Sequence, residues 1–301
     1  MVERGEGGQE WLSRGERGSM ATIRAFVWIA LRLGRGVARL LLYPICLYFM
    51  VFSGGARGAS RDYLNRVLAR PAGSGEVFRH FHSFASCVLD RVFLLNDQLE
   101  RFDLRIEGEE AVLEVLASGS GCFLFGAHLG SFEVLRAVGR RHPGLRVGLA
   151  MYEENARMIG AALRAINPAL ALDVIALGNQ GSMLEIEARL AAGDAVGVLA
   201  DRGLAGERLV PVSFLGAPAG FPPGPFRMMA IMRRPVVLMV GLYRGGRRYD
   251  IFFERLADPA LWPGGGRDKE VETVMQRYAE RLEHYCRLAP YNWFNFYDFW
   301  K

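Results

Sequence analysis

Short apolar runs recur along the middle of the chain, and they constrain the fold more than any other feature. Each run is bounded by Gly, Pro or a charged residue, which is typical of buried strands. We predict strands over 121–128, 146–151, 173–177, 195–201 and 235–243, with helices over 133–141, 154–166 and 181–192. Strands that alternate with helices in this way predict a single α/β domain with a largely parallel or mixed sheet flanked by helices.

The flanking patterns extend this plan at both ends. The turn-forming residues 243–248 join an apolar run to residues 249–256, which predicts an antiparallel hairpin at one sheet edge. Upstream, helical spacing predicts helices over 60–69 and 76–96. We therefore divide the chain into a polar tail (1–20), an N-terminal membrane-anchoring helix (21–54) and an α/β domain (55–301).

The N-terminal helix is apolar but interrupted by arginines. Arg24, Arg32, Arg35 and Arg39 have spacings that predict one basic side. The following apolar run, 40–52, has 13 residues and contains a proline, whereas a bilayer span needs about 20. We expect an interfacial helix with its arginines at lipid phosphates; the alternative is an amphipathic helix packed on the chain's own core. The polar tail lacks the pattern of a secretory signal, so we predict no removal.

Composition excludes several classes of protein. The chain has 301 residues, a net charge of +5 and 51% hydrophobic residues, which excludes wholesale disorder. Its mean hydropathy of +0.11 is too low for several membrane spans. The four cysteines are scattered without a C-x-x-C pair, so we predict small buried hydrophobes, no metal and no cofactor. The arginines are dispersed without a recognition module, which disfavours nucleic acid as a partner.

The sequence most suggestive of chemistry follows the first strand of this series. That strand runs into His128, then a turn at Gly130 and Ser131, then a predicted helix containing Glu133. Gly130 suits a sharp turn, and Ser131 is a natural helix N-cap. Folding at Gly130 would bring Glu133 back to His128, where a carboxylate on one imidazole nitrogen leaves the other free to take a proton. The alternative is a core histidine beside an ordinary helix carboxylate.

His128 and Glu133 form a His-x-x-x-x-Glu motif that resembles the signature of the glycerolipid and lysophospholipid acyltransferase superfamily. More specifically, the chain is similar to the late (lauroyl- or myristoyl-type) acyltransferases of lipid A biosynthesis. The resemblance covers most of the chain and rests on the order of several blocks. These are the N-terminal helix, Gly-Ala-His-Leu-Gly-Ser-Phe-Glu at 126–133, Leu-Ala-Asp-Arg at 199–202, residues 214–224 and the aromatic tail from Pro290.

The resemblance implies transfer of a fatty acyl group from an acyl thioester to a hydroxyl of a lipid or glycolipid. The donor would be acyl carrier protein or acyl-CoA, acting as a co-substrate. His128 would be the general base and Glu133 would orient it, with 55–301 as the catalytic domain. The implied location is the cytoplasmic face of a bacterial inner membrane. Departures at 203–204, at 222–224 and in the tail leave open a lysophospholipid-type or specialised polyene-lipid acyltransferase.

Further residues are candidates for substrate binding. Asp201 and Arg202 end a predicted strand on the same rim as His128, and would bind an acceptor headgroup or form an internal pair. Arg164 is a candidate for anion binding, or else part of a solvated helix face. Phe214 and Gly216 would shape an acyl groove, although a plain strand-to-loop transition uses the same residues. Backbone N–H groups near Gly130 and Ser131 are candidate oxyanion donors, as is Arg202.

Other classes of function explain less of the sequence. A serine hydrolase would need a Gly-x-Ser-x-Gly elbow, which the chain lacks. A nucleotide-binding protein would need a glycine-rich phosphate loop, which is also missing. A non-enzymatic membrane protein would explain the N-terminal helix but not the His128 block. Capping accounts for Ser131 more simply than nucleophilic attack, so we favour direct transfer.

Overall fold

A computed structural model describes residues 20–134, 139, 142, 144–152, 166–167, 173–178, 181–203, 206–262 and 267–301. These ranges contain seven α-helices and nine strands. The helices are α1 Met20–Phe52, α2 Gly54–Leu68, α3 Ser74–Leu95, α4 Glu110–Ala117, α5 Gly181–Ala191, α6 Gly224–Met232 and α7 Arg267–Leu288. The strands are β1 Asp103–Glu107, β2 Cys122–Gly126, β3 Val147–Tyr152, β4 Val174–Leu177, β5 Ala195–Leu199, β6 Val210–Phe214, β7 Ala217–Phe221, β8 Val236–Tyr243 and β9 Arg248–Ala257.

Seven of these strands form one mixed sheet. Its order is β1-β9-β8-β2-β5-β3-β4, and β8, β2, β5, β3 and β4 run parallel to one another. Strand β9 pairs antiparallel with β8, and β1 runs parallel to β9. The predicted fold class and the predicted antiparallel hairpin are therefore confirmed, but the hairpin does not close the sheet, because β1 pairs with β9 and forms that edge. Strands β6 and β7 form a separate two-stranded hairpin.

The main sheet carries a hydrophobic layer on each face. Along β2, Phe123 and Phe125 enter one core cluster, whereas Cys122 and Leu124 enter the other. This follows from the two-residue period of a strand, which sends successive side chains to opposite faces. All four cysteines are free and buried, as the sequence predicts. The predicted helices over 133–141 and 154–166 lie largely outside the described residues.

Helix α1 is continuous from Met20 to Phe52 apart from a kink at Gly34, where φ is 85°. The kink shifts the helical phase, so the arginines do not form one basic side. Arg35 donates to both carboxylate oxygens of Asp90, at 2.6 and 2.8 Å, and Arg39 donates to the Tyr243 hydroxyl at 2.8 Å. The expectation that Arg35 and Arg39 face lipid phosphates is therefore wrong. Arg32, in contrast, is exposed. The Arg24 side chain lies outside the described residues.

The outer face of α1 remains apolar. Its small and aliphatic residues pack inward on α3, but it exposes 59% of Trp28, 68% of Leu40 and 61% of Phe52. Counted across the kink at Gly34, Ala25–Phe52 is long and apolar enough to cross a membrane. The short length of the run 40–52 therefore does not exclude a span. One face of α1 packs on the domain, as in the second alternative from the sequence. The opposite face is apolar and exposed.

Candidate active site

The register between β2 and β5 places His128 beside Asp201. Gly126 at the end of β2 is opposite Leu199 at the end of β5, and the Ala200 N–H donates to the Gly126 carbonyl at 3.0 Å. His128 and Asp201 each lie two residues past these paired ends, so they are level with each other. The carboxyl ends of parallel strands are where α/β sheets bind ligands. Strand pairing thus brings a histidine and a carboxylate together at that edge.

Two hydrogen bonds join these residues. The His128 backbone N–H donates to Asp201 Oδ2 at 3.0 Å, and His128 Nδ1 lies 2.9 Å from Asp201 Oδ1. An ionised carboxylate only accepts hydrogen bonds, so Nδ1 carries the imidazole proton. Nε2 therefore keeps its lone pair. The Asp201 side chain is fully buried, whereas 34% of the His128 side chain is exposed.

The electrostatic surroundings keep His128 neutral and Asp201 ionised. Burial lowers the pKa of His128 below 6.5, and the charge of Arg202 lowers it further against the opposing effect of Asp201. Burial alone raises the pKa of Asp201. The charge of His128, its hydrogen bonds and the charge of Arg202 outweigh burial and bring that pKa to about 2. Near neutral pH, the pair is therefore an imidazole base held by a carboxylate.

The partner of His128 is not the carboxylate that the sequence predicts. Glu133 accepts from Ser131 Oγ at 2.8 Å and lies 2.6 Å from Arg91 Nε, and these are its bonds within the described part of the chain. The prediction that Glu133 holds the imidazole is wrong, because the carboxylate bonded to Nδ1 is that of Asp201. The reason is long-range: strand pairing brings Asp201 to His128, whereas the turn directs Glu133 towards α3. Glu133 still lies at the turn that follows His128.

The turn after His128 is as sharp as the sequence predicts, but its backbone N–H groups are not free to bind an oxyanion. The Gly130 N–H donates to the Asn292 carbonyl at 2.9 Å and the Ser131 N–H donates to the Gly241 carbonyl at 2.8 Å, so the prediction that they are oxyanion donors is wrong. Gly130 has a φ of 71°, and a Cβ there would lie 1.9 Å from the Gly241 carbonyl oxygen. Only glycine fits this close approach to β8. Ser131 is 2% exposed, which leaves its hydroxyl poorly accessible as a nucleophile, and that hydroxyl donates to Glu133. The helix that Ser131 would cap lies largely outside the described residues.

Asp201 and Arg202 differ in their access to solvent. Because Asp201 is fully buried beneath His128, it cannot bind an acceptor headgroup directly, and that expectation is wrong. Arg202 is partly exposed; one of its terminal nitrogens donates to the Phe294 carbonyl at 2.7 Å. Its Nε is buried and has no hydrogen-bond partner among the described residues, and burial lowers the pKa of the guanidinium. Arg202 is thus a cation with spare donor capacity beside His128.

The remaining predicted binding residues are structural where they are described. Phe214 is fully buried among aromatic rings, so it offers no surface to an acyl chain. Leu215 and Gly216 form the two-residue turn between β6 and β7, with φ of 50° and 81°. The plain turn, not the acyl groove, is what the structure shows there. Arg164 lies outside the described residues.

Sequence reasoning missed three residues around this pair. Trp293 Nε1 donates to Asp201 Oδ2 at 3.1 Å, and His80 Nε2 lies 2.9 Å from the Trp293 carbonyl oxygen. Arg91 pairs with Glu133 from α3. The aromatic tail is visible in the sequence, but its contact with Asp201 depends on how residues 290–301 pack. Within the described ranges, no group of three or more His, Cys, Asp or Glu side chains could hold a metal ion.

The fold and the site define an α/β protein that presents a base-competent histidine at the carboxyl edge of its parallel strands. The family model described as bacterial lipid A biosynthesis acyltransferase matches residues 76–301, which is most of the chain. The chain therefore belongs to the bacterial lipid A biosynthesis acyltransferase family. It is an acyl-transferring lipid acyltransferase.

Other comparisons are less informative. The crystal structure of the 1-acyl-sn-glycerophosphate acyltransferase PlsC from Thermotoga maritima aligns with a TM-score of 0.36 and 15% sequence identity. The alignment covers 82% of this chain and 98% of that one. This similarity is too low to carry an argument about function. A search of curated proteins finds no match to the chain.

Proposed function

We propose that this protein transfers a fatty acyl group from an acyl thioester to a hydroxyl of a lipid A-type glycolipid. The donor is the thioester of acyl carrier protein or of coenzyme A. The observation that carries the proposal is the His128–Asp201 pair, whose Nδ1 is bonded to a buried carboxylate while the imidazole stays partly exposed. A base of this kind is what deprotonating an acceptor hydroxyl requires.

The proposed reaction is direct transfer without an acyl-enzyme. His128 Nε2 takes the acceptor hydroxyl proton as the oxygen forms a bond to the thioester carbonyl carbon. The carbonyl oxygen becomes an oxyanion, which in this proposal the Arg202 guanidinium stabilises. When the intermediate collapses, the carbon–sulfur bond breaks and the imidazolium returns its proton to the leaving thiolate. The buried Ser131 hydroxyl supports a mechanism without a serine nucleophile.

Two supporting roles complete the proposal. Asp201 holds the imidazole in the Nδ1–H tautomer and stabilises its cationic form. Glu133, which the sequence assigns to the catalytic pair, remains in the site and balances the charge of Arg91, which also lowers the pKa of His128. In the proposal, Glu133 therefore affects His128 through Arg91. The basic net charge of +5 suits an acidic donor such as acyl carrier protein.

We further propose that α1 lies along the cytoplasmic face of the bacterial inner membrane. Arg35 and Arg39, near the middle of the helix, are hydrogen-bonded to the domain. If α1 crossed the bilayer with this docking intact, its middle would place part of the domain at bilayer depth. A helix with one face on the domain and one apolar face outward fits the lipid interface instead.

Lipid mass spectrometry tests the function. Cells lacking the natural copy would express either the wild-type chain or His128→Ala, and total lipids would be compared. We expect one lipid class to gain an ester-linked acyl chain only with the wild-type protein, and that class identifies the acceptor. Free fatty acid formed without any acylated lipid would contradict the proposal, because it would indicate hydrolysis. Lipids that do not differ between the two strains would also contradict it.

A further inference from the structure

The segment Asn292–Phe294 lies directly across the turn that carries His128. The Gly130 N–H donates to the Asn292 carbonyl at 2.9 Å, and the Phe294 N–H donates to the His128 carbonyl at 2.8 Å. Leu129 and Trp293 form an antiparallel bridge between these bonds. The C-terminal segment therefore pairs with the catalytic turn as a short strand would.

The same segment is fixed to the domain on both sides. The Asn292 side chain accepts from the Tyr243 N–H at 2.7 Å and donates to the Tyr243 carbonyl at 3.1 Å. The Trp293 carbonyl accepts from His80 Nε2 at 2.9 Å, and His80 Nδ1 lies 2.8 Å from Ser60 Oγ. His80 is fully buried. The position of Trp293 is thus set by β8, α2 and α3 together.

The Trp293 side chain supplies one specific bond to the site. It is fully buried and packs against Tyr63, Phe214 and Phe299. Its Nε1–H, the ring's only hydrogen-bond donor, points at Asp201 Oδ2 at 3.1 Å. A phenylalanine could pack in this cluster without any donor, whereas the buried carboxylate of Asp201 needs donors, and the indole N–H supplies one.

The bonds of Asp201 divide between its two oxygens. Oδ1 accepts from His128 Nδ1, while Oδ2 accepts from the His128 backbone and from Trp293. The indole N–H does not titrate and cannot act as an acceptor. It therefore holds the plane of the carboxylate at any pH, whereas a donor that could also accept would allow a protonated carboxyl to rotate.

We propose that Trp293 is a positioning residue for acyl transfer, whose indole N–H holds the Asp201 carboxylate in the orientation that keeps His128 in its Nδ1–H tautomer. This inference rests on the proposed function. It adds a contribution from the C-terminal tail to a pair formed by two strand ends. It predicts that loss of the indole N–H lowers kcat because His128 is held less firmly in the Nδ1–H tautomer.

The test compares Trp293→Phe with the matched control Trp300→Phe. Trp300 belongs to the same aromatic cluster, but its Nε1 lies 3.4 Å from the Phe214 carbonyl and makes no bond to Asp201. Dodecanoyl thioesters of coenzyme A and of acyl carrier protein serve as donors, with total membrane lipid as the acceptor. We expect Trp293→Phe to lower kcat by about 10- to 100-fold, as for loss of a bond to a charged group. The KM for donor should change little, and the control should keep its kcat.

The pH profile separates positioning from packing. Without the indole donor, Asp201 becomes more basic and stabilises the imidazolium more strongly, so the acidic limb of kcat/KM moves to higher pH in Trp293→Phe alone. Among the described residues, charged or titratable groups that interact electrostatically with the pair include Arg202, Arg91, Tyr278, Tyr297 and Cys286. All of them are unchanged in both variants. A purely structural role for Trp293 would lower the amount of folded protein but would not move this limb.

A measurement independent of turnover distinguishes this inference from the proposed function. With ¹⁵N-labelled histidine, NMR reports the tautomer of His128, assigned by comparison with His128→Gln. We expect Nδ1–H in the wild type and the control, and a mixture of tautomers in Trp293→Phe. If Trp293→Phe does not fold, the test becomes hydrogen exchange of the Trp293 indole proton in the wild type. Slow exchange supports the bond to Asp201, and rapid exchange overturns the inference. Wild-type kcat and tautomer in a folded Trp293→Phe would also overturn the inference, whereas a wild-type protein without transferase activity would refute only the function.

Discussion

His128 is suited to proton transfer because its two ring nitrogens face different surroundings. Nδ1 is bonded to a fully buried carboxylate, while part of the ring is open to solvent. Burial and the charge of Arg202 lower the pKa of the imidazole below 6.5. The base is therefore neutral and ready at a lower pH than an ordinary histidine would be.

This lowered pKa gives a direct prediction for the pH dependence of catalysis. The acidic limb of kcat/KM, which reports loss of the neutral base, should lie below pH 6.5. Arg202→Gln removes a positive charge near the ring, so we expect that limb to move to higher pH along with a lower kcat. Measuring kcat/KM of both proteins from about pH 4.5 to about pH 8 locates the two acidic limbs. A limb that stays in place in Arg202→Gln would show that Arg202 does not act on the imidazole.

Ser131 provides the test of direct transfer. Its hydroxyl is buried and donates to Glu133, so Ser131→Ala should retain most of the activity. His128→Ala removes the base and should lose about 10²- to 10⁴-fold in kcat. Both variants are assayed with the same acyl thioester and lipid acceptor. Equal loss in the two variants would favour an acyl-serine intermediate instead.

At the scale of elements, a buried ion pair helps to join α1 to the domain. Asp90 is fully buried and receives two bonds from Arg35 and one from the Tyr249 hydroxyl at 2.9 Å. The helix therefore inserts a charge into the domain rather than resting on it through apolar contact alone. This explains how α1 can keep a fixed position while its outer face stays apolar.

Breaking this pair should cost more than removing an exposed arginine. Arg35→Met leaves Asp90 buried without its cation, and we expect a loss of about 3–5 kcal/mol in the free energy of unfolding. Arg32→Met, on the same helix but exposed, should change it by less than about 1 kcal/mol. Urea unfolding in detergent micelles measures both. The double variant Arg35→Met with Asp90→Leu should recover much of the loss, and failure to recover would mean that the charge pair is not the cause.

Particular elements show what the sequence could predict and what it could not. The strands β2 and β5 and the hairpin of β8 and β9 are predictable because local apolar runs and turn residues define them. The pairing of β2 with β5, which places Asp201 beside His128, is a long-range contact with no local signal. A carboxylate five residues from the histidine was therefore the more visible candidate. The kink at Gly34 similarly altered which arginines of α1 face the domain.

At the scale of the whole molecule, His80 links the N-terminal helices to the C-terminal tail. Its Nε2 must donate to the Trp293 carbonyl, so Nδ1 accepts from Ser60. Burial lowers the pKa of His80 to about 4. The folded state therefore holds a neutral imidazole at a pH where the unfolded chain binds a proton.

This buried histidine makes global stability depend on pH. Between about pH 6.5 and pH 4, the unfolded state binds more protons at this site, so the stability contribution falls as pH falls through that window. The loss amounts to about 3 kcal/mol. His80→Gln should flatten this part of the profile, whereas His284→Gln, an exposed residue on α7, should not. Urea unfolding at several pH values measures the slopes, and identical slopes in wild type and His80→Gln would contradict the assignment.

¹⁵N NMR of labelled histidine tests most directly whether Asp201, and not Glu133, holds His128. The tautomer of His128 would be compared in wild type, Asp201→Asn and Glu133→Gln. We predict that wild type and Glu133→Gln keep the proton on Nδ1, while Asp201→Asn loses that preference. A His128 tautomer that changes in Glu133→Gln and persists in Asp201→Asn would contradict the account.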